Sequence, residues 1–199
     1  MILLRLLPAA LLLIAAPLVP AAIISEVPNI ALDELAAGQV VVISKAVSGA
    51  PWPKLSLYQV VNAPPAVLKT LFTDYASAPS YTPNLISANV LTTNADGSKN
   101  VLYTTKVPIL NKISYTVRNT YITNGNSYEV DWKLLQSPLA KSSDGSLRIE
   151  PYGNDQTLMC YTNLCVPVAN LPGMKEAALN EAKATVRAIT AEAQKRAGH

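Results

Sequence analysis

Alternation of apolar and polar residues is cleanest in the middle of this chain. Tyr128, Val130, Trp132 and Leu134 share one parity while Glu129, Asp131 and Lys133 share the other, which marks a strand with one dry and one wet face. The segment before it repeats the pattern, with Ile113, Tyr115, Val117 and Tyr121 set against Ser114, Thr116, Arg118 and Thr120. The same reasoning predicts strands over Gln39 to Val47, Lys54 to Val61, Leu85 to Thr92, Asn100 to Val107, Ile113 to Thr123, Ser127 to Leu134, Ser146 to Tyr152 and Gln156 to Val166. Asp96-Gly97, Asn124-Gly125, Asp144-Gly145 and Gly153-Asn154 supply the tight turns of an antiparallel meander. Lys54 to Val61 is apolar on both faces, as in a covered strand. In Gln156 to Val166 apolar residues fall at both parities, so its inward face stays open.

Helical spacing appears at three places. Leu32, Leu35 and Ala36 predict a short helix over Asn29 to Gly38, with acidic Asp33 and Glu34 in its first turn. Ala63-Pro64-Pro65 opens a second, because proline is tolerated where its missing amide hydrogen would have had no partner; Val67, Leu68, Leu71, Phe72 and Tyr75 form its stripe. Pro79 and Pro83 bracket a short helical turn around Ser80 and Tyr81. Pro172 to Arg196 predicts a long closing helix whose Met174, Ala178, Ala182, Val186 and Ile189 face the dry side of the sheet. The expected architecture is α+β, a sheet wrapped around the last helix.

The N-terminus adds a destination. Arg5, the apolar run Leu6 to Leu18 and the small residues around Val19-Pro20-Ala21-Ala22 predict a secretory signal peptide over 1–22, a lead segment over 23–38 and the main domain over 39–199. A retained anchor is the rival reading, because Leu6 to Ser25 is uncharged and just long enough to span a bilayer; Pro8, Pro17 and the alanine-rich end argue against it. The expected location is periplasmic or secreted. A net charge of +3 without any basic cluster makes nucleic acid an unsuitable partner, whereas transient membrane contact stays open.

Candidate chemistry is sparse. The only histidine is His199 at the tail, and Asp74 and Glu150 are single carboxylates without a visible partner, short of what general acid/base work requires. Cys160 and Cys165, on one extended strand, would stand ~16 Å apart on opposite faces, beyond disulfide reach. No metal or cofactor is expected.

The stretch Tyr58 to Leu91, with Ala63-Pro64 after a strand, Thr73-Asp74-Tyr75 on a helix and Pro83 beyond a short second one, resembles the opening of the START-like (SRPBCC) superfamily. That superfamily includes polyketide cyclase/dehydrase-like and coenzyme Q-binding proteins. Asp144-Gly145-Ser146-Leu147-Arg148, Pro151-Tyr152-Gly153, Leu171-Pro172-Gly173 and the terminal helix extend the similarity over about residues 39 to 197. The resemblance implies a helix-grip fold, in which a curved antiparallel sheet grips the C-terminal helix over a cavity for a lipid, sterol, quinone or polyketide. Many relatives carry an Asp-Arg-Asp-like turn before the central strand where this chain has Pro108 and then Asn111-Lys112, so any role of that arginine is not carried over.

For such a cavity the candidate lining residues are Tyr103, Tyr115, Tyr121, Tyr128, Trp132 and Tyr161, since tyrosine offers apolar area and one orienting hydroxyl. Met174, Ala178 and Ala182 on the last helix complete the set; the two alanines leave room for a guest or serve close helix packing. A binding protein for a hydrophobic small molecule or lipid is the first expectation. A polyketide cyclase-like enzyme using the same cavity and an envelope interaction protein with a filled core are the alternatives.

Overall fold

The computed structural model describes residues 22–107 and 111–199. The expected leader, apart from Ala22, and Pro108 lie outside them. The described strands are β1 (Val41–Lys45), β2 (Lys54–Val61), β3 (Leu85–Thr93), β4 (Lys99–Val107), β5 (Asn111–Asn124), β6 (Ser127–Gln136), β7 (Ala140–Tyr152) and β8 (Gln156–Pro167). They form one antiparallel sheet in the order β1-β2-β8-β7-β6-β5-β4-β3. The expected meander therefore runs from β3 to β8, and β8 closes on β2.

Three α-helices accompany the sheet among the described residues: α1 (Leu32–Ala36), α2 (Pro65–Thr73) and α3 (Met174–Ala197). Pro65 stands in the first turn of α2, as the sequence leads one to expect. The concave face of the sheet holds α2 and α3. Leu57, Val61, Leu147, Ile149 and Met159 from the strands meet Leu68 and Leu71 of α2 and Val186, Ile189 and Ala193 of α3 in one core. The α+β helix-grip architecture is the observed one. Among the described residues no helix is long and apolar enough to cross a membrane.

The convex face is wet over β5 and β6 but dry over β1, β2 and β8. There Ile23, Val27 and Leu35 of the lead segment pack with Val41, Tyr58, Leu158 and Cys160 in a second core. Arg148 of β7 pins this segment through two 2.6 Å bonds to the Glu26 carboxylate, and the Tyr58 hydroxyl donates to the same group at 3.1 Å. This cover explains why β2 and β8 are apolar at both parities. In β8, Met159 faces the concave core, whereas Leu158 and Cys160 face the lead segment.

Two expectations are corrected. Asp144-Gly145 is not a turn but lies inside β7, where Gly145 pairs with Trp132 and Asn163. A Cβ there would overlap the Trp132 indole and the Thr162 carbonyl oxygen, so this glycine serves close approach rather than chain reversal. Tyr75 is not on the α2 stripe either, because the helix ends at Thr73 and Tyr75 falls in the following turn.

Candidate functional site

The concave face has two unequal ends. At the end covered by α2 and the C-terminal half of α3, Val61, Leu147, Ile149 and Met159 are at most 1% exposed. A few residues along the same strands, Leu55, Trp132, Leu134, Tyr161 and Cys165 are only half-buried, and cover there comes from the first turns of α3. Ala178 is half-buried and Ala182 buried on that stretch of helix.

At this open end a cleft of about 140 Å³ lies between α3 and the β1-β2-β8 side of the sheet. Val42, Leu55, Asn163, Cys165, Ala178 and Ala182 are among its lining. Trp52, from the β1–β2 loop, borders it and is fixed by a 2.7 Å bond from its indole nitrogen to Asn170 Oδ1. The volume falls below the roughly 300–1,000 Å³ of typical small-molecule pockets. Filling it with a larger guest requires α3 or its side chains to yield.

The aromatic candidates divide between the two ends. Trp132, whose indole lies over Gly145, and Tyr161 form a tilted pair with ring centroids 5.0 Å apart. Tyr103 stacks on Tyr115 at 5.5 Å. Burial pushes the Tyr115 hydroxyl up to about 12, and the Tyr161 hydroxyl is raised by the same cause. Tyr121 and Tyr128 belong instead to the closed end, stacked at 6.5 Å. Ala178 and Ala182 line the cleft, whereas Met174, in the first turn of α3, is half-buried and outside its lining.

Between the ends lies a polar knot. The Asn119 amide bonds the Tyr75 hydroxyl at 2.9 Å and the Tyr103 hydroxyl at 3.1 Å, and the Tyr75 and Tyr121 hydroxyls bond each other. Lys99 Nζ sits 5.6 Å from the Tyr75 ring centroid and 5.8 Å from that of Tyr121. Burial holds the Tyr75, Tyr103, Tyr121 and Tyr128 hydroxyls well above the ordinary phenol range, so they act as neutral donors at physiological pH. The Tyr128 hydroxyl is fully buried and has no partner.

Sequence reasoning missed Tyr75, Asn119, Lys99 and the cleft residues other than Ala178 and Ala182. A signal was available for two of them: Asn119 and Lys99 break otherwise apolar inward parities, between Val117 and Tyr121 and ahead of Val101 and Tyr103. The single carboxylates have ordinary roles or none. Asp74 closes α2 and is held below the usual carboxylate range mainly by hydrogen bonds from Ser77, with Arg196 Nη1 3.6 Å away. The two cysteines are free and face opposite sides of β8, Cys160 in the convex core and Cys165 at the cleft. Among the described residues no group of three histidine, cysteine, aspartate or glutamate side chains could hold a metal.

No family model and no curated protein matches this sequence. Solved structures do resemble it. A STAR-related lipid transfer protein from Xanthomonas axonopodis aligns with a TM-score of 0.65 at 12% identity, over 78% of this chain and 98% of that one. The lipid transfer and protein localization domain of human StarD13 gives 0.59 at 14% identity, over 84% and 98%. The Zhui aromatase/cyclase from Streptomyces sp. R1128 gives 0.58 at 16% identity, over 72% and 94%. At such identities the likeness is one of architecture, and in architecture this chain is START-like, a curved antiparallel sheet gripping its C-terminal helix.

Proposed function

We propose that this chain is an exported binding protein that holds a lipid or other hydrophobic small molecule between its sheet and the N-terminal half of α3. The observation that carries the reading is the contrast between the sealed core and the only half-buried aromatic residues Trp132, Tyr161, Tyr115 and Tyr103 on the same concave face. Shielding apolar guest surface there at about 25 cal/mol per Å² supplies most of the affinity. The lipid-transfer names of two structural neighbours support the ligand class. The aromatase/cyclase neighbour keeps a cyclising role as the runner-up, but the tyrosine hydroxyls on this face are held protonated and so suit orientation better than proton abstraction.

The loops at the open end offer a place for transient membrane contact. Exposed Val168 and Leu171 precede α3, and Val168 is joined to Leu139 of the β6–β7 connection by a 2.9 Å backbone bond. Lys45, Lys54, Lys141 and Lys175 are exposed on the elements that bound this end.

The decisive experiment is to purify the mature chain from its native host and analyse its organic extract and intact mass together. A stoichiometric lipid, quinone or polyketide with an N-terminus near Ile23 is the expected result. An empty extract, with no thermal shift across a lipid panel, would overturn the binding reading; an intact leader would overturn its cleavage and favour the retained anchor.

A further inference from the structure

The hydroxyl knot between the two ends has an imbalance that points to the chemistry of the guest. The Asn119 amide and the hydroxyls of Tyr75, Tyr103 and Tyr121 together carry five polar hydrogens, yet only three bonds join them. Each bond uses one hydrogen, whichever way the amide is turned, so two remain without an acceptor inside the knot. Tyr128, stacked on Tyr121 and 5% exposed, adds another hydroxyl with no partner at all. The donors of the knot are part-buried and that of Tyr128 is fully buried; donors withdrawn from water without an acceptor are costly, and here they concentrate beside the Lys99 ammonium.

Tyr103 links this surplus to the half-buried aromatic residues. Its ring stacks on Tyr115 among the open-end aromatics, while its hydroxyl belongs to the knot. We infer that the guest presents a hydrogen-bond acceptor oxygen, a carbonyl or a carboxylate, to the Tyr103 side of this knot while its apolar body lies along Tyr115, Trp132 and Tyr161. The inference rests on the binding reading above and sharpens it: the site selects for acceptor heads and against donor heads of equal chain length. A carbonyl takes the surplus hydrogens as a neutral acceptor, and a carboxylate does so with added attraction from Lys99.

The test uses three twelve-carbon probes, methyl decyl ketone, dodecanoate and dodecylammonium, titrated calorimetrically against the mature chain and against Tyr103→Phe. At least one acceptor probe is expected to bind roughly tenfold more tightly than dodecylammonium, and Tyr103→Phe to narrow that margin about fivefold, the scale of one lost hydrogen bond. If Tyr103→Phe does not fold, as judged by its thermal transition, Tyr121→Phe takes its place with the same expectation. Equal binding of all three probes, tighter binding of dodecylammonium, or a margin unchanged in the phenylalanine variant would overturn the inference and leave hydrophobic binding standing. Absence of binding by every probe would overturn both.

Discussion

On β7, Leu147 and Ile149 are each 1% exposed, while Gly145, two residues before Leu147 on the same parity, lies under a half-buried indole. On β8, Met159 is sealed and Tyr161 is not. These strands are continuous, so the change does not come from the sheet; it comes from what lies above. Two helices, α2 and the second half of α3, close one end, whereas the alanine-bearing start of α3 only partly covers the other. Aliphatic residues predominate where the cover is complete, with Tyr121 and Tyr128 stacked among them, and Trp132 and Tyr161 lie where it is partial. Tightly sealed and loosely covered positions are thus separated along each strand rather than between domains.

The strongest way to break this contrast is to remove volume on both sides of it. Leu147→Ala at the sealed end is expected to cost about 3 kcal/mol, within the range for a buried leucine. Leu55→Ala at the cleft is expected to cost about half as much, because its side chain is only partly removed from water. Urea unfolding of the two variants checks the ratio, and equal losses would mean that the open end is as much a part of the stability core as the other.

A smaller effect comes from the boundary itself. Gly145→Ala forces Trp132 or the β8 backbone aside and is expected to cost about 2 kcal/mol, with a change in near-ultraviolet circular dichroism as the indole leaves Tyr161. Smaller again is the clamp on the convex face. Glu26→Gln is expected to cost about 1 kcal/mol, since the pair with Arg148 is bidentate but partly exposed. The Arg148 guanidinium lowers the Glu26 carboxyl below its ordinary value of 4.5. Its contribution is therefore complete above pH 4.5 and is lost as the pH falls through the lower folded value. The gap in stability between wild type and Glu26→Gln should close over that acid range. The smallest change is expected from Tyr128→Phe, which removes a hydroxyl that has no partner; thermal unfolding should show a gain of no more than about 1 kcal/mol.

Much of this organisation was legible in the sequence. The alternation in β5 and β6 and the stripe of α3 identify residues that do face the concave side, because in those elements one face is wet and the period is unambiguous. Legibility fails where a second surface intervenes. The apolar residues at both parities of β8 made sense only once Ile23, Val27 and Leu35 were seen to cover the convex face. Asp144-Gly145 carries a turn signal that was overridden by a tertiary need, room for the Trp132 ring. The apolar spacing runs on to Tyr75 although the helix stops two residues earlier, so spacing alone does not reveal its meeting with Tyr121 and Asn119. Polar residues on an inward parity, Asn119, Lys99 and Gln59, were the overlooked clue. Gln59 accepts a 2.8 Å bond from Thr190 of α3 and so ties the last helix to β2.

The closure of β8 on β2 also sets a schedule for the chain. Thr157 donates to the Ala63 carbonyl across 94 residues, and the β1–β2 pair has no neighbour on its inner side until that final strand arrives. Pairings of such separation must overcome loop-closure entropy before they gain contact energy. During synthesis, the β1–β2 pair therefore emerges with its concave face and inner edge uncovered, its native partner still unmade. Completion of the sheet and of its concave core waits on the last strand and helix.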